Sequence, residues 1–285
     1  MPKALRLSLL GLAGLTGALL IATLWYFRGV VFPDEYSFEE VQQLLTPHIT
    51  VLTPQDSSKQ HPAVLFFHGC GGPLDYTIPR AAQVLQQGYA AVIVDSYTGR
   101  GVDWELSCTG RELPGFQRAA DVLAALEIAR KHPSIDSQQL FLVGYSLGGW
   151  TILEALASGD ELPDGLLDSP GHHLAGVRGL VAWYPYCGLA TRYRQGWDSD
   201  IPVLMLLAGE DRTTPPQPCV EVASAQSAIG KSIAWKVYPG VDHGFDLQED
   251  WVRVYDAAIH TKAMNRQTEF LTQHTKPADS VLAAE

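Results

Sequence analysis

Six short apolar runs constrain this chain most: Ala63–His68, Ala90–Asp95, Leu140–Gly144, Gly179–Trp183, Val203–Ala208 and Ile233–Tyr238. None alternates cleanly between apolar and polar residues, as expected of strands covered on both faces. Amphipathic stretches separate them, and Ile78–Gln87, Gln117–Lys131, Leu147–Ala157, Cys219–Ile229 and Asp250–Leu271 read as helices. Strand and helix in alternation predict an α/β domain: a mostly parallel sheet, helices on both faces, right-handed crossovers. Upstream, Ser37-Phe38-Glu39-Glu40 has the form of a capping box and opens a short helix to about Leu45. His48–Thr53 reads as extended, Gln55–Gln60 as a polar turn and Ser158–Leu174, rich in Gly, Pro and Asp, as a longer loop.

At 285 residues with 46% hydrophobic and 18% charged residues, the chain can bury a full core, which excludes disorder, collagen and coiled coil. Its 20 basic against 31 acidic residues give a net charge of −11. That balance argues against a nucleic-acid partner, since phosphate binding requires a basic surface. The charge is uneven: residues 1–32 hold Lys3, Arg6 and Arg28 and no acid. Leu7–Phe27 carries no charge and is long enough for the ~20 residues of a membrane-spanning helix. Its end, Leu24-Trp25-Tyr26-Phe27, matches a cleavage site poorly, so an uncleaved anchor is expected rather than a removed signal peptide. The division expected is therefore an N-terminal transmembrane anchor or signal segment (1–32), an α/β domain (33–274) and a loose tail (275–285). The basic residues ahead of the span place the domain on the extracytoplasmic side, periplasmic or extracellular.

The segment Leu140–Trp150 holds Gly144-Tyr145-Ser146-Leu147-Gly148 between a strand and a helical pattern. The pentapeptide alone is weak, but strand, tight turn and helix together are what a nucleophilic serine at a strained elbow requires. A serine hydroxyl needs a base, and the base an orienting acid, met along such a chain in the order Ser, Asp or Glu, His. Among nine histidines only His243 follows the last strand in a tight loop; His172 and His173 come too early, while His260 and His274 lie on or beyond the final helix. Asp211 follows the strand Val203–Ala208, with Glu210 as its nearest rival; Asp242 adjoins the base but points elsewhere from an extended loop. His68-Gly69-Cys70-Gly71-Gly72 closes the first long strand, and its glycines leave the Cys70 amide free to join that of Leu147 as an oxyanion hole.

With these residues assembled, the chain resembles the dienelactone hydrolase family of α/β-hydrolases over about residues 48–272. The resemblance rests on His68–Gly72, Asp95-Ser96-Tyr97 with Arg100-Gly101, Gly144–Gly149, Asp211 with Pro215, and His243-Gly244-Phe245. It implies an α/β-hydrolase fold and hydrolysis of a small carboxylic ester or lactone through an acyl-enzyme, without metal or organic cofactor. The founding enzymes use a cysteine nucleophile where this chain has Ser146, which favours a serine esterase over an enzyme for dienelactone itself. Arg100 is either a contact for an anionic substrate group or a loop residue paired with a nearby acid. Rival readings are a serine peptidase or acyltransferase on the same triad, and a catalytically silent, membrane-anchored binding domain.

The four cysteines show no Cys-x-x-Cys spacing, so zinc and thioredoxin-like chemistry are not expected. An exported domain favours disulfides. Cys187 and Cys219 follow adjacent strands and are expected to pair, as are Cys70 and Cys108; four free thiols are the alternative.

Overall fold

The computed structural model describes residues 3–276 except 57, 74–76, 170, 190 and 249–253, with side chains from residue 14 onward. The apolar runs form one seven-stranded sheet. Its strands are β1 (Ile49–Leu52), β2 (His61–Phe67), β3 (Ala90–Val94), β4 (Ile135–Tyr145), β5 (Val177–Trp183), β6 (Val203–Ala208) and β7 (Ile233–Tyr238), in the order β1-β3-β2-β4-β5-β6-β7. Only β1 is antiparallel, pairing Ile49 with Val94 at the edge. The other neighbours are parallel, with Leu65 opposite Val92 and Leu142.

Helices cover both faces. Among the described residues they are α1 (Lys3–Tyr26), α2 (Arg28–Val31), α3 (Phe38–Leu45), α4 (Thr77–Gln86), α5 (Trp104–Cys108), α6 (Gly115–Arg130), α7 (Leu147–Ser158), α8 (Gln217–Ala228) and α9 (Ala257–His274). Alternate strand residues go to opposite cores because successive Cβ atoms point to opposite faces. Ala63, Leu65 and Phe67 belong to the core that also takes in α3, α6, α7 and α8, whereas Val64 and Phe66 belong to the core on the other face with α4 and α9. Each buried Val, Leu or Phe side chain among them contributes about 1.5–3 kcal/mol.

Strand β2 leads through α4 toward β3, while β4 leads through α7 toward β5 in the opposite direction. Loops leaving the carboxyl ends of β2 and β4 therefore lead to opposite sides, which makes this a topological switch point of the sheet. The Gly-rich stretch after β2 and Ser146 after β4 both sit at that switch point.

Two expectations shift and one unanticipated helix appears. The last helix begins at Ala257, because the Asp256 side chain accepts from the amides of Ala258 and Ile259, both at 2.9 Å, and caps it there. Of its expected start, residues 250–253 lie outside the described residues, as does 277–285 of the expected tail. Helix α5, capped by Asp103, is too short to leave a periodic signal. The anchor expected over residues 7–27 is not supported: among the described residues no helix is long and apolar enough to cross a membrane. The side chains of residues 7–13 in that stretch lie outside the described residues.

Candidate functional site

Ser146 connects β4 to α7 with φ 52° and ψ −114°, a backbone conformation that L-residues avoid. Its amide donates to Trp183 O at 2.9 Å and its carbonyl accepts from Trp150 N at 3.0 Å, so both sides of the turn are pinned. The flanking glycines are steric necessities. A Cβ on Gly144 would stand 2.2 Å from Gly148 O, and one on Gly148 only 2.1 Å from Phe67 O. The elbow thus presses directly onto the end of β2, and a Cβ on Gly69 would lie 3.5 Å from the Ser146 Cβ.

The loops after β6 and β7 meet Ser146. His243 Nε2 lies 2.9 Å from Ser146 Oγ, and His243 Nδ1 lies 2.8 Å from Asp211 Oδ2. Asp211 is buried, and Oδ1 accepts from the amides of Thr213 at 2.9 Å and Thr214 at 2.7 Å. Thr214 Oγ1 donates to Oδ2 at 3.0 Å. Three donors besides the imidazole make the carboxylate a satisfied acceptor with one fixed face toward the ring. Tyr184 meets the His243 ring edge to face, at 4.7 Å between centroids. The Tyr184 hydroxyl donates to buried Asp246 at 2.5 Å, and Asp246 pairs in turn with Arg80. A hydroxyl, an imidazole and a carboxylate in this line can move a proton from oxygen to ring and hold the cation that results.

The amides of Cys70 and Leu147 donate to no acceptor among the described residues. They stand at the two loop ends that flank the Ser146 side chain, Leu147 at the first turn of α7, where the helix dipole is positive. Upstream of Cys70, burial first, and the Arg118 charge second, hold the His68 imidazole well below its ordinary pKa. The ring is therefore neutral: Nε2 accepts from Ser96 N at 3.2 Å and Nδ1–H donates to Gly69 O at 2.7 Å.

Residues 49–275 match the profile of the dienelactone hydrolase family. The chain belongs to that family. A solved chain from Klebsiella pneumoniae subsp. pneumoniae MGH 78578, assigned to the dienelactone hydrolases, superposes with a TM-score of 0.64 at 19% identity, covering 79% of this chain and 92% of that one. Esterase 2 of Thermogutta terrifontis, solved after phosphoramylation by tabun, superposes with a TM-score of 0.60 at 18% identity, over 79% and 88%. An uncharacterised 31.7 kDa protein of Escherichia coli is 32% identical over 110 residues, 38% of this chain; the match spans 37% of that relative. The structural likenesses establish an α/β-hydrolase fold for this family member.

Among the residues expected at the site, Arg100 is placed elsewhere. Its guanidinium grips buried Asp121 through Nη2–Oδ1 at 2.5 Å and Nη1–Oδ2 at 3.2 Å, and donates to Ser96 O at 3.0 Å. Of the two readings left open for Arg100, the structural ion pair is the one the fold adopts, because a bidentate carboxylate occupies the fork that a substrate anion would need. Glu210 does not reach the histidine; its amide donates to Val241 O at 2.9 Å and joins the acid and base loops. Asp242 ties the same two loops together, its Oδ1 accepting from Arg212 N at 3.0 Å and from His243 N at 2.8 Å. Thr214 and Tyr184 carry no motif signal and emerge only from the juxtaposed loops. Both cysteine pairs are bonded, Cys70–Cys108 and Cys187–Cys219. Among the described residues no cluster suited to a metal occurs.

Proposed function

We propose that this family member is a serine hydrolase of carboxylic esters or lactones that works through an acyl-enzyme on Ser146. His243 takes the Ser146 proton at Nε2 as Oγ bonds to the substrate carbonyl carbon. The carbonyl oxygen, now an oxyanion, accepts from the amides of Cys70 and Leu147. Asp211 keeps Nδ1–H in place and stabilises the imidazolium. Collapse breaks the carbon–oxygen bond to the alcohol, which leaves with the proton from Nε2. Water then attacks the acyl-enzyme with the same base and releases the acid and Ser146.

The observation that carries this reading is the unbroken line Ser146 Oγ, His243, Asp211, at 2.9 and 2.8 Å, built on an elbow whose serine is backbone-strained. A binding domain with no chemistry has no use for that strain, which costs about 1–3 kcal/mol. Phosphoramylation of a structurally similar esterase supports the choice of probe. A fluorophosphonate is expected to label wild-type protein and not Ser146→Ala, and short-chain p-nitrophenyl esters to turn over only with wild type. Folded wild type that neither labels nor turns over an ester or lactone defeats the proposal. Faster acyl transfer to amines or alcohols than to water instead identifies an acyltransferase on the same triad.

We infer that the domain works outside the cytoplasm. Two disulfides support an oxidising compartment. Leu15, Leu19 and Ile21 of α1 are exposed, so the core does not depend on them, which suits export followed by removal of the leader. Intact mass of the exported protein tests this: a species that retains residues 1–32 refutes removal.

A further inference from the structure

The two disulfides differ in a way that bears on the site. Cys187 and Cys219 are both buried, whereas Cys108 is exposed at the end of α5 and its partner Cys70 is only partly buried. The exposed bond is also the one attached to the proposed oxyanion donor.

The loop after β2 is well held at its start. Arg118, fully buried, donates from Nη1 to His68 O at 2.7 Å and from Nε to Ser96 Oγ at 2.8 Å. The Tyr97 ring meets His68 edge to face at 4.5 Å. Past Gly69 these ties stop. Gly72 N donates to Gly69 O at 3.2 Å and closes a turn around Cys70, yet neither the amide nor the carbonyl of Cys70 makes a hydrogen bond among the described residues. Among the described residues, the tie that holds Cys70 is its sulfur, bonded to Cys108. Helix α5 is docked in turn by Ser107 Oγ, 2.5 Å from the Tyr97 hydroxyl, so one ring serves both the His68 end and the Cys108 end of the loop.

We propose that Cys108 is a positioning residue, and that its disulfide to Cys70 sets the oxyanion amide and makes hydrolysis dependent on redox state. The inference rests on the serine-hydrolase reading above. A thiol reductant attacks the exposed Cys108 sulfur as thiolate. The S–S bond breaks, Cys70 leaves as thiolate and takes a proton, and a second thiol resolves the mixed disulfide. In sum two thiols are oxidised to one disulfide, and Cys70 and Cys108 are each reduced to a thiol. The donor itself survives, because it is a backbone N–H; only its placement is lost. Displacement of one pre-set oxyanion donor is the kind of change that lowers kcat 10²–10³-fold at the limit of complete loss, roughly. Ground-state binding does not use the oxyanion geometry, so KM is not expected to follow.

The test compares p-nitrophenyl ester kinetics of oxidised wild type, the double variant Cys70→Ser/Cys108→Ser and the double variant Cys187→Ser/Cys219→Ser. Expected is a fall in kcat of about tenfold or more, with KM within twofold, for the first double variant. Folded protein of the second keeps kcat within twofold and loses thermal stability. Wild type treated with graded dithiothreitol follows the first variant. Alkylation and mass mapping show Cys70 and Cys108 freed before Cys187 and Cys219, the circular dichroism is unchanged, and reoxidation restores kcat. This arm stands even if the variants do not fold. An active wild type whose kcat stays within twofold on selective reduction of Cys70–Cys108 overturns the positioning role and leaves the hydrolase reading intact. Wild type inert to both ester and fluorophosphonate overturns the hydrolase reading and this inference with it.

Discussion

Glu154 offers a prediction whose size and sign follow from its surroundings. It lies on α7, 1% exposed, two turns beyond the elbow. Its Oε1 accepts from Trp150 Nε1 at 2.8 Å and from Arg192 N at 3.0 Å, clasping the segment around Arg192 to the helix. Burial is the main cause that raises its pKa from 4.5 to about 7, against the lowering effect of those two donors and of the Arg192 charge. A rise of that size corresponds to about 3 kcal/mol. The native state binds this proton more tightly than the unfolded chain does. Its contribution is therefore fully present below pH 4.5, falls through the interval from 4.5 to about 7, and is gone above it. Glu154→Gln keeps Oε1 as acceptor for both donors and removes the buried charge. The variant is expected to match wild type within about 0.5 kcal/mol at pH 4.5 and to be more stable at pH 8.5, with about 3 kcal/mol as the ceiling. Urea unfolding of both proteins at the two pH values measures the difference, and other titrating groups cancel between them. A stability difference that does not change with pH, or a variant less stable than wild type at pH 8.5, refutes the reasoning.

Three further outcomes follow from the site. Ser146→Gly relieves the strain at φ 52° and is expected to abolish turnover while raising stability by about 1 kcal/mol, or roughly 2–4 °C in Tm by calorimetry; a lower Tm contradicts the strain. Gly148→Ala puts a methyl 2.1 Å from Phe67 O, where rigid backbone cannot yield, so the protein should lose both the elbow and its fluorophosphonate labelling; full labelling of a soluble variant counts against that contact. Asp242→Ala strands the amides of Arg212 and His243 and should destabilise by about 1–3 kcal/mol in urea unfolding, with a lower kcat on esters. Wild-type kcat in that variant shows that the base loop holds its place without Asp242.

Sequence alone determined the features whose demands are local. Strand and helix alternate because each apolar run is short and the stretches between the runs are long enough for helices. Gly144, Ser146 and Gly148 are legible because a strained turn under close backbone approach admits few residue types at fixed spacing. The order Ser146, Asp211, His243 is legible because successive strand ends of a parallel sheet open on the same edge. Tertiary structure decided who meets whom. Arg100 found Asp121 rather than a substrate, and Glu154 found the Arg192 amide 38 residues away. Asp242, beside the base in sequence, turned to the backbone of the acid loop. The difference in exposure between the two disulfides likewise arose from where α5 packs. A side chain's partner depends on which loops the sheet order β3-β2-β4-β5-β6 sets side by side, and that order is a property of the whole sheet that no single stretch of sequence contains.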